Sequence, residues 1–230
     1  MSGLFIVGTD TGVGKTLVSA ALLRACVGLG LRVVGMKPVA AGAELRDGAW
    51  VNEDVAALRA ASNVTAAAEL INPYLLREPI APHIAAERKG VRIEIPRIRA
   101  AYETLAGQAD LVVVEGVGGF RVPLSETTDT ADLAVALGLP VVLVVGMRLG
   151  CLSHALLSVE AIEARGLRLL GWVANRIDPD MAAYDENLRA LAGRLGAPLL
   201  AELPHQPGMS AEKAANCFAP KRLAELLGRP

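Results

Sequence analysis

Gly8-Thr9-Asp10-Thr11-Gly12-Val13-Gly14-Lys15-Thr16 stands between an apolar run, Leu4-Phe5-Ile6-Val7, and a stretch of helical periodicity from Leu17 to Leu29. Strand, glycine-rich loop, Gly-Lys-Thr and helix together form the context of a phosphate-binding P-loop. Backbone N–H groups of such a loop point inward at phosphate oxygens, and the helix N-terminus adds a partial positive charge. Lys15 is placed to reach the β- and γ-phosphates, and the Thr16 hydroxyl to ligate Mg²⁺. The spacing departs from the usual four residues: five separate Gly8 from Gly14, and Thr9 stands where the first Gly is expected. That departure points to a subfamily of the P-loop fold. A chance Gly-Lys-Thr at a helix start is the competing reading, and it leaves the strand and the glycines unexplained.

With 230 residues the chain suits one α/β domain over residues 1–230, long enough for a large core. A net charge of −1 provides no electrostatic footprint for nucleic acid or an anionic membrane. Cys26, Cys151 and Cys217 are far apart, and no Cys/His spacing suggests zinc, so a reduced cytoplasm is expected. No signal peptide fits a chain whose strand begins at the fourth residue. The longest uncharged apolar run, Leu133 to Met147, is broken by Gly138 and Pro140 and is too short for a bilayer.

Outward from the loop, strand-like and helical runs alternate. Strands are expected at residues 4–7, 32–36, 111–115, 141–145, 169–174 and 198–203. Helices are expected at residues 15–29, 53–61, 96–107, 130–137, 154–165, 181–195 and 220–227. Apolar strands without alternation are covered on both faces, as in parallel sheets. Strand–helix alternation then implies right-handed crossovers and a three-layer α/β sandwich with a mostly parallel sheet. Ligands in such sheets bind beyond the carboxyl ends of the strands.

Those ends carry the polar residues of interest. The second strand ends in Lys37, suited to meet phosphate or carboxylate, or else a surface lysine at a strand exit. The strand at 111–115 ends in Glu115-Gly116-Val117-Gly118-Gly119, where Glu115 resembles a Walker B carboxylate. The glycines after it let backbone N–H groups approach an anion. Asp54, with Asn52 as cap, reads on spacing as a helix-start carboxylate sooner than as a metal ligand. Asn175-Arg176-Ile177-Asp178 offers an amide for adenine, although it also resembles the guanine-reading Asn-Lys-x-Asp motif. Pro179 favours a turn at Asp178, and so adenine. His83 and His154 read as helix-start residues, and His205 as a border of the base pocket.

Taken together these residues resemble the dethiobiotin synthetases, ATP-dependent ligases late in biotin synthesis. The resemblance covers nearly the whole chain. It rests on Gly8-Thr9-Asp10-Thr11-x-Val13-Gly14-Lys15-Thr16, Lys37-Pro38-Val39, Asn52-x-Asp54, Asn72-Pro73-Tyr74 and Pro79-x-x-Pro82-His83. It continues through Val114-Glu115-Gly116-x-Gly118-Gly119, Leu149-Gly150-Cys151 and Gly171-Trp172-Val173-Ala174-Asn175.

The resemblance implies that Thr16, Asp54 and Glu115 hold Mg²⁺, which displaces the helix-start reading of Asp54. It implies an ATP site from Gly12, Val13, Gly14, Lys15, Thr16 and Leu17 with Asp54, Glu115, Gly116, Val117 and Gly118. Asn175, Arg176, Pro204, His205 and Gln206 would line the base pocket. Lys37 and Lys15 would be catalytic. Thr11, Lys37, Ala41, Gly116 to Gly119, Gly150, Cys151 and Ser153 would border the substrate. The implied substrates are 7,8-diaminopelargonic acid, CO₂ or bicarbonate, and ATP. The implied assembly is a homodimer whose substrate sites are shared across the interface. Gly12, Ala41, Ser153 and Asn187 stand where certain members carry Glu, Ser, Asn and Tyr, which touches recognition of the substrate tail. The rival reading is a MinD/ParA-like regulatory ATPase. Those proteins carry a second lysine inside the loop, where this chain has Asp10.

Overall fold

The computed structural model describes residues 2–228. Its first elements are β1 (Gly3–Gly8), α1 (Lys15–Gly28), β2 (Val33–Met36), β3 (Val39–Ala40), β4 (Glu44–Arg46), β5 (Ala49–Val51), α2 (Glu53–Ala61) and α3 (Ala68–Ile71). Then come β6 (Tyr74–Leu75), α4 (Pro82–Arg88), α5 (Ile95–Ala106), β7 (Leu111–Glu115), α6 (Thr130–Leu137), β8 (Val141–Gly146) and α7 (Cys151–Ala164). The last are β9 (Leu169–Asn175), α8 (Tyr184–Ala192), β10 (Leu199–Leu203), α9 (Ala211–Ala215) and α10 (Pro220–Leu226).

Six strands form one parallel sheet in the order β10-β9-β8-β1-β7-β2. All residues of β1 are buried because both faces of the sheet are covered. Phe5 and Val7 pack in one core with Val114, Leu143 and Trp172, while Leu4 and Ile6 pack in the other with Val18, Leu22 and Val113. Each such side chain stabilises the fold by about 1.5–3 kcal/mol relative to exposure. Close packing also fixes Gly35: a Cβ there would lie 2.8 Å from Leu58 Cβ and 3.0 Å from Leu23 Cδ1. The strand can approach α1 and α2 that closely only without a side chain.

β1 lies between β7 and β8, and the chain passes over it on the way from one to the other. The crevice at the carboxyl end of β1 is therefore the topological switch point where ligands bind in open α/β sheets.

The expected strands and helices are present, with shifted ends. α7 begins at Cys151, three residues before the expected start at 154. Gly150, at φ 94, makes the turn from the β8 exit directly into the helix. α8 is shorter than residues 181–195 because Ala183 adopts φ 52 and Gly193 caps the other end. The β4–β5 hairpin lies between the strand expected at 32–36 and the helix expected at 53–61, where no element is expected from the sequence. Its Asp47-Gly48 turn has φ 50 and 79, the left-handed pair that a tight two-residue hairpin requires. The short parallel pair β3–β6 was likewise not anticipated. It carries the chain from Lys37 along the edge of the crevice.

Candidate active site

The P-loop leaves β1 at Gly8 and enters α1 through Gly14, at φ 87. A Cβ on Gly14 would sit 2.2 Å from Asn175 Nδ2, so glycine is required there on two counts. Asn175, at the end of β9, donates from Nδ2 to Val13 O at 2.9 Å and so pins the loop to the sheet. Lys15 is buried, and its Nζ donates to Asp10 O at 3.0 Å.

Thr16 Oγ1 lies 2.7 Å from Asp54 Oδ1 and 2.8 Å from Glu115 Oε1. One hydroxyl hydrogen cannot serve both carboxylates, so electron pairs crowd together. Lys37 answers part of that charge. Its Nζ lies 2.6 Å from Glu115 Oε1, 3.0 Å from Asp54 Oδ2 and 3.1 Å from Gly116 O. Lys37 is only 3% exposed, so it is not a surface lysine at a strand exit. Its backbone is held from both sides: its N–H donates to Ile71 O at 2.8 Å, and its carbonyl accepts from Asn72 Nδ2 at 2.6 Å. Asn52 does cap α2, accepting from Val55 N at 3.3 Å, and this cap aims the first turn of the helix so that Asp54 reaches Thr16. The helix-start and site readings of Asp54 are thus compatible.

Burial, helped by the nearby Lys37 charge, lowers the Lys15 ammonium from 10.5 to about 8. Burial also pulls on Lys37, but the charges of Glu115 and Asp54 outweigh it and the net displacement is upward. For Asp54, burial opposes ionisation, yet the Lys37 charge and the Thr16 hydrogen bond prevail and lower its pKa. Lys37 is thereby firmly cationic, while Lys15 titrates within reach of physiological pH.

A Mg²⁺ ion suits these donors. Glu115 Oε2 is buried with no hydrogen-bond partner, leaving an electron pair in need of a cation. Two carboxylates and a hydroxyl form a hard-oxygen set, and Mg²⁺ characteristically takes one or two carboxylates beside nucleotide phosphates and water. Among the described residues no cluster of three or more His, Cys, Asp or Glu forms a metal site of its own.

A cavity of about 800 Å³ opens over this cluster. It brings Thr11, Ala41, Val117, Gly118 and Gly119 to the same space as Gly12, Gly14 and Lys15. Gly116 is buried beside it and offers its carbonyl to Lys37. Val13 and Leu17 support the loop from below, in the core under α1. The remaining expected residues are apart. Pro204, His205 and Gln206 form an exposed segment beyond β10, tied back by a 3.2 Å contact between His205 Nδ1 and Arg176 O. The Arg176 guanidinium stacks 4.7 Å from the centre of the Tyr184 ring. Gly150 and Ser153 are exposed, and Cys151 is buried at the start of α7. None of these three lines the cavity within the one chain. Sequence reasoning missed Arg148, whose Nη2 lies 2.6 Å from Asp10 Oδ2 across 138 positions. No local pattern could have paired them.

A family model described as an AAA domain matches residues 2–213. An ATP-dependent dethiobiotin synthetase BioD from Aromatoleum aromaticum is 61% identical over 211 residues, covering 92% of this chain and 94% of that protein. The chain belongs to the dethiobiotin synthetase family. It is an enzyme of that ATP-dependent class, as the sequence resemblance implied. Among solved structures, the MinC:MinD cell division complex of Aquifex aeolicus is similar at TM-score 0.60 and 17% identity, covering 99% of this chain and 96% of that one. A ParA family ATPase from Chlorobium tepidum is similar at TM-score 0.55 and 16% identity, covering 97% and 92%. These two share the fold, which bears out the expected P-loop α/β architecture.

Proposed function

We propose that the enzyme closes the ureido ring of dethiobiotin from 7,8-diaminopelargonic acid, CO₂ and ATP. One amine adds to CO₂, loses a proton and becomes a carbamate. A carbamate oxygen attacks the γ-phosphorus, and ADP leaves. The second amine attacks the carbonyl carbon of the resulting anhydride, and its proton departs with inorganic phosphate.

The observation that carries this reading is the convergence of Lys15 and Lys37 with two carboxylates and Thr16 in one cavity. Carbamate and γ-phosphate are both anions, and fixed cations between them lower the cost of bringing them together. Lys37 holds the carbamate and the oxygen that bridges to phosphorus. Lys15 leaves Asp10 O for the β- and γ-phosphates, with backbone N–H groups from Gly12 to Leu17 around them. Thr16, Asp54 and Glu115 would hold Mg²⁺, which when bound neutralises phosphate charge. Gly116, Val117, Gly118 and Gly119 shape the wall where the diamine lies, with Thr11 and Ala41 opposite. Asn175, Arg176 and the segment from Pro204 to Gln206 border the base of ATP.

The enzyme works as a homodimer in the cytoplasm, with Gly150, Cys151 and Ser153 reaching the substrate held at the other subunit. Leu149, 94% exposed, adjoins that segment, and Leu157, 61% exposed, lies further along α7; both are apolar side chains that a second copy would cover. The regulatory-ATPase alternative lacks its loop lysine, since Asp10 occupies the position and is paired with Arg148.

Incubation with ATP, Mg²⁺, bicarbonate and the diamine should produce dethiobiotin by mass. Phosphate release indifferent to diamine and bicarbonate would point to the regulatory ATPase, and a phosphorylated final product to a kinase.

A further inference from the structure

Asp10 is the one P-loop residue whose side chain reaches the segment between β8 and α7 by an ion pair. That segment is anchored by its backbone to the end of β9: Met147 N donates to Asn175 O at 2.8 Å, and Asp178 N to Met147 O at 3.3 Å. Arg148 also opens the turn into α7, its carbonyl accepting from Cys151 N at 3.0 Å. On the other side of the pair, Asp10 Oδ1 accepts from Thr11 N at 2.7 Å, and Asp10 O accepts from Lys15 Nζ at 3.0 Å. Asp10 therefore joins the phosphate-seeking lysine to the start of α7 through a single ion pair.

The pair is half-exposed on both sides. Pairs of that kind contribute about 0–1 kcal/mol to stability, so folding alone does not explain it. Its geometry does something else. A Lys15 that turned to phosphate would give up its 3.0 Å bond to Asp10 O and free the loop around Asp10 to readjust. Asp10 can move only with Arg148 or by releasing it.

We propose that the Asp10–Arg148 pair transmits nucleotide occupancy of the P-loop to residues 149–153, making Arg148 a positioning residue for the first turn of α7. The proposal rests on the nucleotide site described above and not on the identity of the second substrate.

Hydrogen exchange on the full chain, with and without Mg²⁺ and a non-hydrolysable ATP analogue, tests it in wild type, Arg148→Gln, Asp10→Asn and the double variant. Asp10→Asn keeps the oxygen that accepts from Thr11 N and removes the charge facing Arg148. In all four proteins nucleotide should protect the P-loop amides, which also verifies the fold. In wild type it should in addition slow exchange at residues 149–156 severalfold, and this second response should be lost equally in the three variants. The proposal is overturned if wild type shows no second response, if either single variant keeps it, or if the variants fail to protect the P-loop at all. Wild type without P-loop protection would instead refute the nucleotide site itself.

Discussion

Lys37→Met tests both the electrostatics and the chemistry of the site. The substitution keeps an unbranched side chain in the buried slot and removes the charge. Glu115 Oε1, 2.6 Å from Nζ, then loses its ammonium partner while Glu115 remains 1% exposed. Asp54 loses its 3.0 Å contact but keeps access to solvent, since 41% of its side chain is exposed. The cost to the metal-free fold should thus come chiefly from Glu115. Removing one partner of a buried pair costs about 3–5 kcal/mol. For a chain of this length that corresponds to a fall in Tm of roughly 6–20 °C. Mg²⁺ with ADP should restore much of the loss by giving the carboxylates another cation. Catalysis should not recover: ligation at saturating Mg²⁺ and substrates should be lower by about a thousandfold, some 4 kcal/mol of transition-state stabilisation. Calorimetry with and without Mg²⁺–ADP gives the first pair of numbers, and product formation by mass gives the third. A folded variant with near-normal turnover would refute the catalytic role. An unchanged Tm in metal-free protein would refute the burial argument.

Asp54→Asn and Glu115→Gln should each raise the Mg²⁺ concentration needed for half-maximal activity; an unaltered requirement together with a large loss of metal-free stability would assign them structural roles. Lys15 gives a pH signature: with its pKa lowered to about 8, roughly three quarters of it is neutral at pH 8.5 in the free enzyme. Nucleotide phosphates favour the charged form, so binding at pH 8.5 should take up most of one proton and binding at pH 6.5 almost none, as calorimetry in buffers of different ionisation enthalpy would reveal; equal uptake at both would refute the assignment. The same shift means that the unfolded chain binds the extra proton between about pH 8 and 10.5, so this group's contribution to stability rises with pH across that window. Remixed subunits of inactive Lys37→Ala and Gly150→Trp should recover about one quarter of wild-type activity, because half the random dimers are hybrids with one lesion-free site each. No recovery after verified exchange, with Gly150→Trp still binding nucleotide, would place the whole site in one chain.

The P-loop was legible because its chemistry is local: strand, glycines, Lys15 and Thr16 lie within one short stretch. The parallel sheet was legible because strands buried on both faces leave apolar runs without alternation. The hairpin at β4–β5 carries a local sign in the sequence, the Asp47-Gly48 turn. The standing of Lys37 and Asp54 was not legible from spacing alone. A lysine after a strand and an acid near a helix start look alike whether they face solvent or each other.

Sequence by itself determined the six strands of the central sheet and the longer helices between them, the phosphate loop and, through its motifs in order, the family. Tertiary structure decided which charges meet. Parallel strands place their carboxyl ends at one edge of the sheet, so Thr16 meets Glu115 across 99 positions and Asp10 meets Arg148 across 138. It also decided the charge states, since the burial that depresses Lys15 and the carboxylates that sustain Lys37 come from elements distant in the chain. Desolvation and Coulomb attraction depend on distances in space, and sequence separation does not set those distances until the sheet has formed.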